Sequence, residues 1–223
     1  MIFAAGLGTR MGALTKTCPK PLLQVAGKSL LDRALDLGKE AAVARTVVNA
    51  HYLHERITAH LEGRDVIVSV EMPALLDTGG GLRQALPFFE TSPVFTLNPD
   101  AVWTGPNPLI ALARAWKPDK MDALMMLIPP EAAHARAGRG DVELDAQGRV
   151  RRGGALIYGG AQLVKTENLR DIRQTRFSLN ILWDRMIVKE RLFGTIYAGG
   201  WCDVGHPEGI TRAEAMLHGT ADV

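Results

Sequence analysis

The chain has 223 residues, 47% of them hydrophobic and 22% charged, with a formal net charge of +2. That length is the upper end of one domain and enough for a large core, and the composition is ordinary for a soluble globular protein, which argues against disorder and membrane insertion. So small a charge, with the basic residues dispersed, excludes an extended nucleic-acid surface, and Cys18 and Cys202 are too few and too far apart for a disulfide framework or a Cys-x-x-Cys zinc site.

No apolar run approaches the ~20 residues of a membrane helix, and no charged-then-apolar leader opens the chain. A reduced, cytoplasmic protein is therefore expected.

In chain order, the first element is a short apolar strand, Met1 to Phe3. It runs into Ala4-Ala5-Gly6-Leu7-Gly8-Thr9-Arg10-Met11, and ten residues after the arginine comes Lys20 within Pro19-Lys20-Pro21-Leu22-Leu23. Gly6 and Gly8 lack Cβ, so the backbone there can take positive φ and bring its N–H groups against an anion. Arg10 offers a planar fork of donors suited to phosphate oxygens, and Lys20 a compact charge. Pro19 and Pro21 stiffen the segment around the lysine and bias it toward extended backbone. The pattern is a cradle for a polyphosphate. It is not a P-loop, which needs four residues between its glycines followed by Gly-Lys-Ser/Thr. Nor is it the dinucleotide fingerprint, whose third small residue is replaced here by Met11.

Ser29 can cap a first helix, with Asp32 completing a capping-box-like pair and Leu31, Ala34, Leu35 and Leu37 near one face. Apolar, β-branched runs then recur at Thr46 to Val48, Val66 to Val70, Val94 to Leu97, Ala123 to Ile128, Leu156 to Tyr158 and Gly194 to Ala198. Helix-like stretches separate them in the first half, so a mainly parallel sheet is expected. Between Gly138 and Gly154 the composition turns to glycine, arginine and acid, which reads as a hairpin excursion. A last helix starts at Pro207 with Ile210, Ala213 and Leu217 on its apolar stripe. His51 and His54 have metal-pair spacing without a third ligand and are read as capping or lining a cleft. The scattered Trp103, Trp116 and Trp183 are read as core or cleft wall.

The opening segment resembles the signature of the sugar-1-phosphate nucleotidyltransferases, A-x-G-x-G-x-R-(M/L) followed by P-K-P-(L/M). Further blocks agree: Gly27-Lys28-Ser29-Leu30-Leu31, Leu76-Asp77-Thr78-Gly79-Gly80-Gly81, Asn98-Pro99-Asp100 and Gly200-Trp201-Cys202-Asp203-Val204-Gly205-His206-Pro207. The resemblance spans roughly residues 1 to 216. The Asp-Thr-Gly-Gly-Gly and Gly-x-Trp-x-Asp-Val-Gly blocks are most similar to N-acetylmuramate-1-phosphate uridylyltransferases and small mannose-1-phosphate guanylyltransferase-like proteins. Family members carry a few residues ahead of the apolar strand, so either the first few residues are expected to be missing here or the edge of this strand to be trimmed.

The resemblance implies an α/β, Rossmann-like three-layer α/β/α nucleotidyltransferase fold with a mainly parallel, mixed central sheet. It also implies one domain over residues 1–223 with a small acceptor-binding excursion around 138–180. The implied reaction moves a nucleoside monophosphate, from UTP by preference, to a sugar 1-phosphate, with N-acetylmuramate 1-phosphate leading, and suggests a part in peptidoglycan recycling. Arg10 and Lys20 are the implied catalytic cations. Ala5, Gly6, Gly8 and Thr9 with the Thr78-Gly79-Gly80 loop would bind the nucleotide, although that loop also reads as a helix start needing a tight turn. Asn49, Gly140 and Asp141 are candidates for the sugar, and Gly-Asp also reads as a plain turn.

Asp100 and Asp203 follow strands, outside the carboxyl ends where ligands bind in open α/β sheets, and two such carboxylates can share one Mg2+ ion. As alternatives, Asp100 is a turn residue and Asp203 a helix-entry residue. The family has Asn-Gly-Asp where this chain has Pro99, and a displaced Asp100 is expected if that glycine needs positive φ. Two rival functions stand beside the first: mannose-1-phosphate guanylyl transfer, and a catalytically silent sugar-nucleotide-binding subunit, which Pro99 motivates.

Overall fold

The computed structural model describes residues 1–136 and 138–219. In chain order the elements are β1 (Ile2–Phe3), a hairpin of β2 (Gln24–Val25) and β3 (Lys28–Ser29), α1 (Leu30–Glu40), β4 (Val47–Ala50), α2 (His54–Leu61), β5 (Ile67–Val70) and α3 (Asp77–Ala85). Then follow β6 (Val94–Leu97), β7 (Ala101–Thr104), α4 (Pro108–Ala115), β8 (Ala123–Ile128), β9 (Ala133–His134), and the hairpin β10 (Val142–Leu144) and β11 (Val150–Arg152). The chain closes with β12 (Ile157–Val164), α5 (Asn180–Val188), β13 (Leu192–Ile196), β14 (Gly200–Asp203) and α6 (Pro207–Gly219).

Seven strands form the central sheet in the order β13-β8-β12-β6-β1-β4-β5. All neighbours are parallel except at β12, which runs antiparallel to both β6 and β8. This is the mixed, mainly parallel sheet the sequence implied. Its layering follows from the period of two along a strand. In β8, Leu124, Met126 and Ile128 join one core with α1, α2 and α4 residues such as Leu31, Ile57 and Leu112. Ala123, Met125 and Leu127 join the opposite core with Leu82 of α3 and Leu182 and Met186 of α5. A strand buried on both faces reads as a continuous apolar run, as β8 does.

Local signals hold at several ends. The Ser29 hydroxyl caps α1, accepting from the Asp32 N–H at 3.0 Å, and α6 begins at Pro207. The expected hairpin excursion is β10–β11. Three expectations need correction. The strand expected over Leu156 to Tyr158 extends to Val164, because Gly159 and Gly160 do not break it. Gly160 adopts φ of +87° at a register shift between Tyr158 and Gln162, a bulge within a continuing strand. The strand expected at Gly194 starts earlier, at Leu192. A separate three-stranded sheet, β7-β14-β9, packs with α6 around Val102, Cys202, Val204 and Ala213, and short strands in this region were not anticipated.

Candidate active site

A cavity of about 460 Å³ opens along the carboxyl ends of β1, β4 and β6. Ala5, Gly6, Gly8, Thr9, Arg10 and Lys20 line one wall. Gly8 has φ of +65°, and a Cβ there would lie 3.0 Å from Lys20 Cβ, so glycine is required both by the turn and by the lysine beside it. The Gly8 carbonyl accepts from the Met11 N–H at 2.9 Å and the Thr15 hydroxyl at 3.0 Å, which fixes the loop. Gly6 does not need positive φ; a Cβ there would meet nothing within 4 Å, and its absence keeps the cavity open. Lys20 begins a single 3₁₀ turn, Lys20–Leu22, after an extended Pro19, so it is presented from a turn and not from extended backbone.

Lys20 is 9% exposed, and its Nζ lies 2.8 Å from Asp100 Oδ2. Asp100 lies in the turn joining β6 to β7, and its carbonyl accepts from the Val204 N–H at 2.8 Å. Neither Pro99 nor Asp100 has positive φ, and both line the cavity, so proline has not displaced the aspartate from it. Asp203 is the last residue of β14, paired in register with Ala101. It therefore ends a strand of the small sheet and does not follow the β13 strand of the central one.

Asp203 is 8% exposed and sits behind Gly205 at the cavity edge. A Cβ on Gly205 would fall 3.0 Å from Asp203 Oδ1 and 3.2 Å from Arg10 Nη1. Burial, and then the negative charge of Asp100, push the Asp203 carboxyl above its usual range; Lys20, Arg136 and Arg10 oppose the rise. Two carboxylates and two cations thus converge from four separate stretches of chain.

The remaining expected residues are distributed less simply. Thr78 lines the cavity, but Gly79 and Gly80 do not; they belong to the first turns of α3 and not to a loop. Their lack of Cβ serves packing. A Cβ on Gly79 would stand 2.3 Å from the Phe177 ring, and one on Gly80 2.6 Å from the Thr175 carbonyl. Both N–H groups donate to the Phe177 carbonyl, at 2.9 and 3.0 Å.

Asn49 touches the cavity but is 2% exposed with both ends of its amide engaged, Oδ1 accepting from the Ala4 N–H and Nδ2 donating to Glu71. Gly140 and Asp141 lie outside the lining. A Cβ on Gly140 would collide with Ala155, and Asp141 accepts from Arg136 and from the Tyr158 N–H, anchoring the hairpin. His51 contacts the Glu71 carbonyl and His54 pairs with Glu55.

Sequence reading missed three residues. Arg176 lines the far wall with no ion-pair or hydrogen-bond partner among the described residues, on the segment that the α3 glycines seat. Asp77 lines the cavity with φ of 64°, its carboxylate accepting from the Thr78 N–H. Buried Glu71 lies between the two walls. Asp77 stood within a quoted block, but no periodicity marks Arg176 or Glu71.

An α/β sheet with a glycine loop, two cations and Asp100 lining one cleft and Asp203 at its edge defines a nucleotide-processing transferase. The chain matches the MobA-like NTP transferase domain over residues 1–152 and belongs to that family. It is 38% identical to the N-acetylmuramate alpha-1-phosphate uridylyltransferase of Caulobacter vibrioides, over 97% of this chain and 96% of that protein. Its identity to the enzyme of the same name from Neisseria meningitidis is 30%, again over 97% and 96%. Among solved structures, HddC from Yersinia pseudotuberculosis complexed with GMP-PN has the same fold, with a TM-score of 0.76 at 20% identity over 97% of each chain. Among the described residues no helix is long and apolar enough to cross a membrane.

Proposed function

We propose that this protein transfers a uridylyl group from UTP to N-acetylmuramate 1-phosphate and releases pyrophosphate. The observation that carries the reading is the convergence of Arg10, Lys20 and Asp100 on one cavity fronted by a glycine loop, with Asp203 held against Gly205 at its edge. The choice of acceptor and base is supported by the two full-length uridylyltransferase relatives.

A phosphate oxygen of the sugar 1-phosphate attacks the α-phosphorus in line. The new P–O bond forms as the bond to the bridging oxygen of pyrophosphate breaks, and no protein nucleophile is needed. Such a reaction depends on alignment and on neutralising charge, and orientation alone supplies ~7 to 11 kcal/mol. Arg10 holds the leaving β- and γ-phosphates. Lys20, stiffened by its flanking prolines, stabilises charge at the α-phosphate and the incoming phosphate. The base lies against the backbone of Ala5 and Gly6, with Thr78 on the facing wall. Arg176, a cavity-lining cation with no ion-pair partner among the described residues, suits the carboxylate that separates N-acetylmuramate from neutral N-acetylhexosamines.

The donor set fits Mg2+: two hard carboxylates, one of them buried with its charged form disfavoured beside the other, at the mouth of a phosphate cradle. Asp100 and Asp203 would hold the ion, which when bound supplies charge neutralisation at the phosphate oxygens.

The test is pyrophosphate release with UTP, GTP and CTP, each against N-acetylmuramate 1-phosphate, N-acetylglucosamine 1-phosphate and mannose 1-phosphate in the presence of Mg2+. Release with UTP and N-acetylmuramate 1-phosphate is expected. A preference for GTP with mannose 1-phosphate overturns the reading, and nucleotide binding without turnover on any pair points to the silent subunit.

A further inference from the structure

Glu71 is fully buried, with no cation within ion-pair distance among the described residues. Burying a carboxylate this way is unfavourable unless hydrogen bonds replace its water. Two do. Oε1 accepts from Asn49 Nδ2 at 2.6 Å and Oε2 from the Leu76 N–H at 2.7 Å. The Asn49 amide is oriented in turn by the Ala4 N–H, which donates to Oδ1 at 2.8 Å. The residue at 71 must therefore accept at both ends, which a carboxylate does and a carboxamide does not.

The backbone of Glu71 is fixed as well, its N–H donating to the Ala50 carbonyl at 2.8 Å. Space for the carboxylate exists because position 81 is glycine; a Cβ there would stand 2.4 Å from Oε1. The two ends of this chain of bonds are informative. Ala4 immediately precedes Ala5 and Gly6 on one wall of the cavity, and Leu76 immediately precedes Asp77 and Thr78 on the other.

We propose that Glu71 is a positioning residue for the nucleotide, clamping the two walls at the separation the base needs through the Asn49 amide and the Leu76 N–H. The inference rests on the reading that the base lies between those walls. Neither Glu71 nor Asn49 needs to touch the nucleotide. Their influence passes through backbone atoms of Ala4 and Leu76, so it falls on nucleotide affinity more than on the chemical step.

The hydrogen-bond polarity supplies a decisive test. In E71Q an introduced amide faces the amide of Asn49; in N49D an introduced carboxylate faces that of Glu71. Combining the two reverses one donor–acceptor pair and restores all three bonds: from the Ala4 N–H to the carboxylate at 49, from the amide at 71 to that carboxylate, and from the Leu76 N–H to the carbonyl oxygen at 71. UTP binding by titration calorimetry with Mg2+, beside a thermal melt of each protein, reads the result.

Each single variant is expected to weaken UTP binding at least tenfold, and the double variant to return within about threefold of wild type. Folded single variants with unchanged affinity overturn the inference, as does a folded double variant that stays weak. If a single variant does not fold, the double variant alone decides: folded with wild-type affinity upholds the clamp, and unfolded or weak overturns it. Wild-type protein that binds none of UTP, GTP or CTP overturns the nucleotide reading and this inference together. Wild-type binding with no effect in the variants overturns this inference alone.

Discussion

Gly80→Ala sets two physical rules against each other. By helix propensity alone, alanine in place of glycine within α3 should stabilise by ~0.8–1.0 kcal/mol. The structure predicts the opposite sign. The added Cβ would stand 2.6 Å from the Thr175 carbonyl oxygen and 3.0 Å from Leu76 Cβ, well inside the ~3.5 Å of an optimal contact. Relief requires the 175–177 backbone to retreat, loosening the two hydrogen bonds that the Phe177 carbonyl accepts from Gly79 and Gly80.

With ~1 kcal/mol for each bond and ~1–3 kcal/mol for overpacking, less the ~1 kcal/mol of propensity, the variant should lose roughly 2–4 kcal/mol. For a chain of this size that is a fall in Tm of roughly 5–15 °C. Urea unfolding at unchanged slope, paired with a thermal melt, measures it. Gly6→Ala is the control: its Cβ meets nothing within 4 Å, so stability should stay within ~0.5 kcal/mol while nucleotide binding suffers. A neutral or stabilising Gly80→Ala would refute the view that these glycines exist to seat the segment bearing Arg176.

Further outcomes are expected at three positions, Lys20, Asp203 and Asp32. Lys20→Ala should lower turnover at least 100-fold while weakening nucleotide binding far less, read as separate changes in kcat and Kd; equal losses would make Lys20 a binding residue only. It should also move the acid limb of activity to higher pH, because Lys20 holds the Asp203 carboxyl down. Raising Mg2+ should move that limb to lower pH in the wild type, as a cation competes with the proton.

Asp203→Asn should abolish Mg2+-dependent turnover yet raise Tm near neutral pH. A carboxyl whose folded pKa is raised contributes stability below that pKa and loses it as pH climbs through it, so removing the charge relieves the fold. At Asp32, burial would raise the pKa, but hydrogen bonds from Ser29, Arg64 and His60 outweigh it and hold the carboxyl at about 2, below its ordinary 3.8. That contribution is present above about pH 3.8 and is lost as pH falls through about 2. Asp32→Asn should therefore cost ~1 kcal/mol at pH 7 after solvent screening, and much less in acid titrations near pH 2.

What was legible in the sequence was local. The glycine loop, the Ser29 cap, the Pro207 helix start and the buried β8 run each state their geometry within a few neighbouring residues. What was illegible depends on residues far apart in the chain. The glycines after Thr78 look like a ligand loop until Phe177 is seen lying across them. Asn49 looks like a sugar contact until both ends of its amide are found engaged. Gly159 and Gly160 look like a strand end because a bulge and a break share the same residues, and only the partners β6 and β8 distinguish them. Glu71 carries no signal of its own after the Val66 to Val70 run, because nothing near it in sequence reveals that Asn49 and Leu76 will enclose it.

The pairing of β14 with β7 also bears on when the candidate metal site comes into being. Asp100 and Asp203 are separated by most of the second half of the chain, yet Asp203 stands opposite Ala101 on the last rung of one antiparallel ladder, and Asp100 is the residue just before that rung, its carbonyl accepting from the Val204 N–H. A slip of one residue in that ladder would turn Asp203 to the far side of its sheet. The carboxylate pair thus has no existence in a partly assembled chain; it appears only when the last strand docks, one of the longest-range closures in the molecule. A cation that needs both aspartates could not template folding from the N-terminal half. It should act instead as a late latch, slowing release of β14 and α6 more than it speeds their arrival.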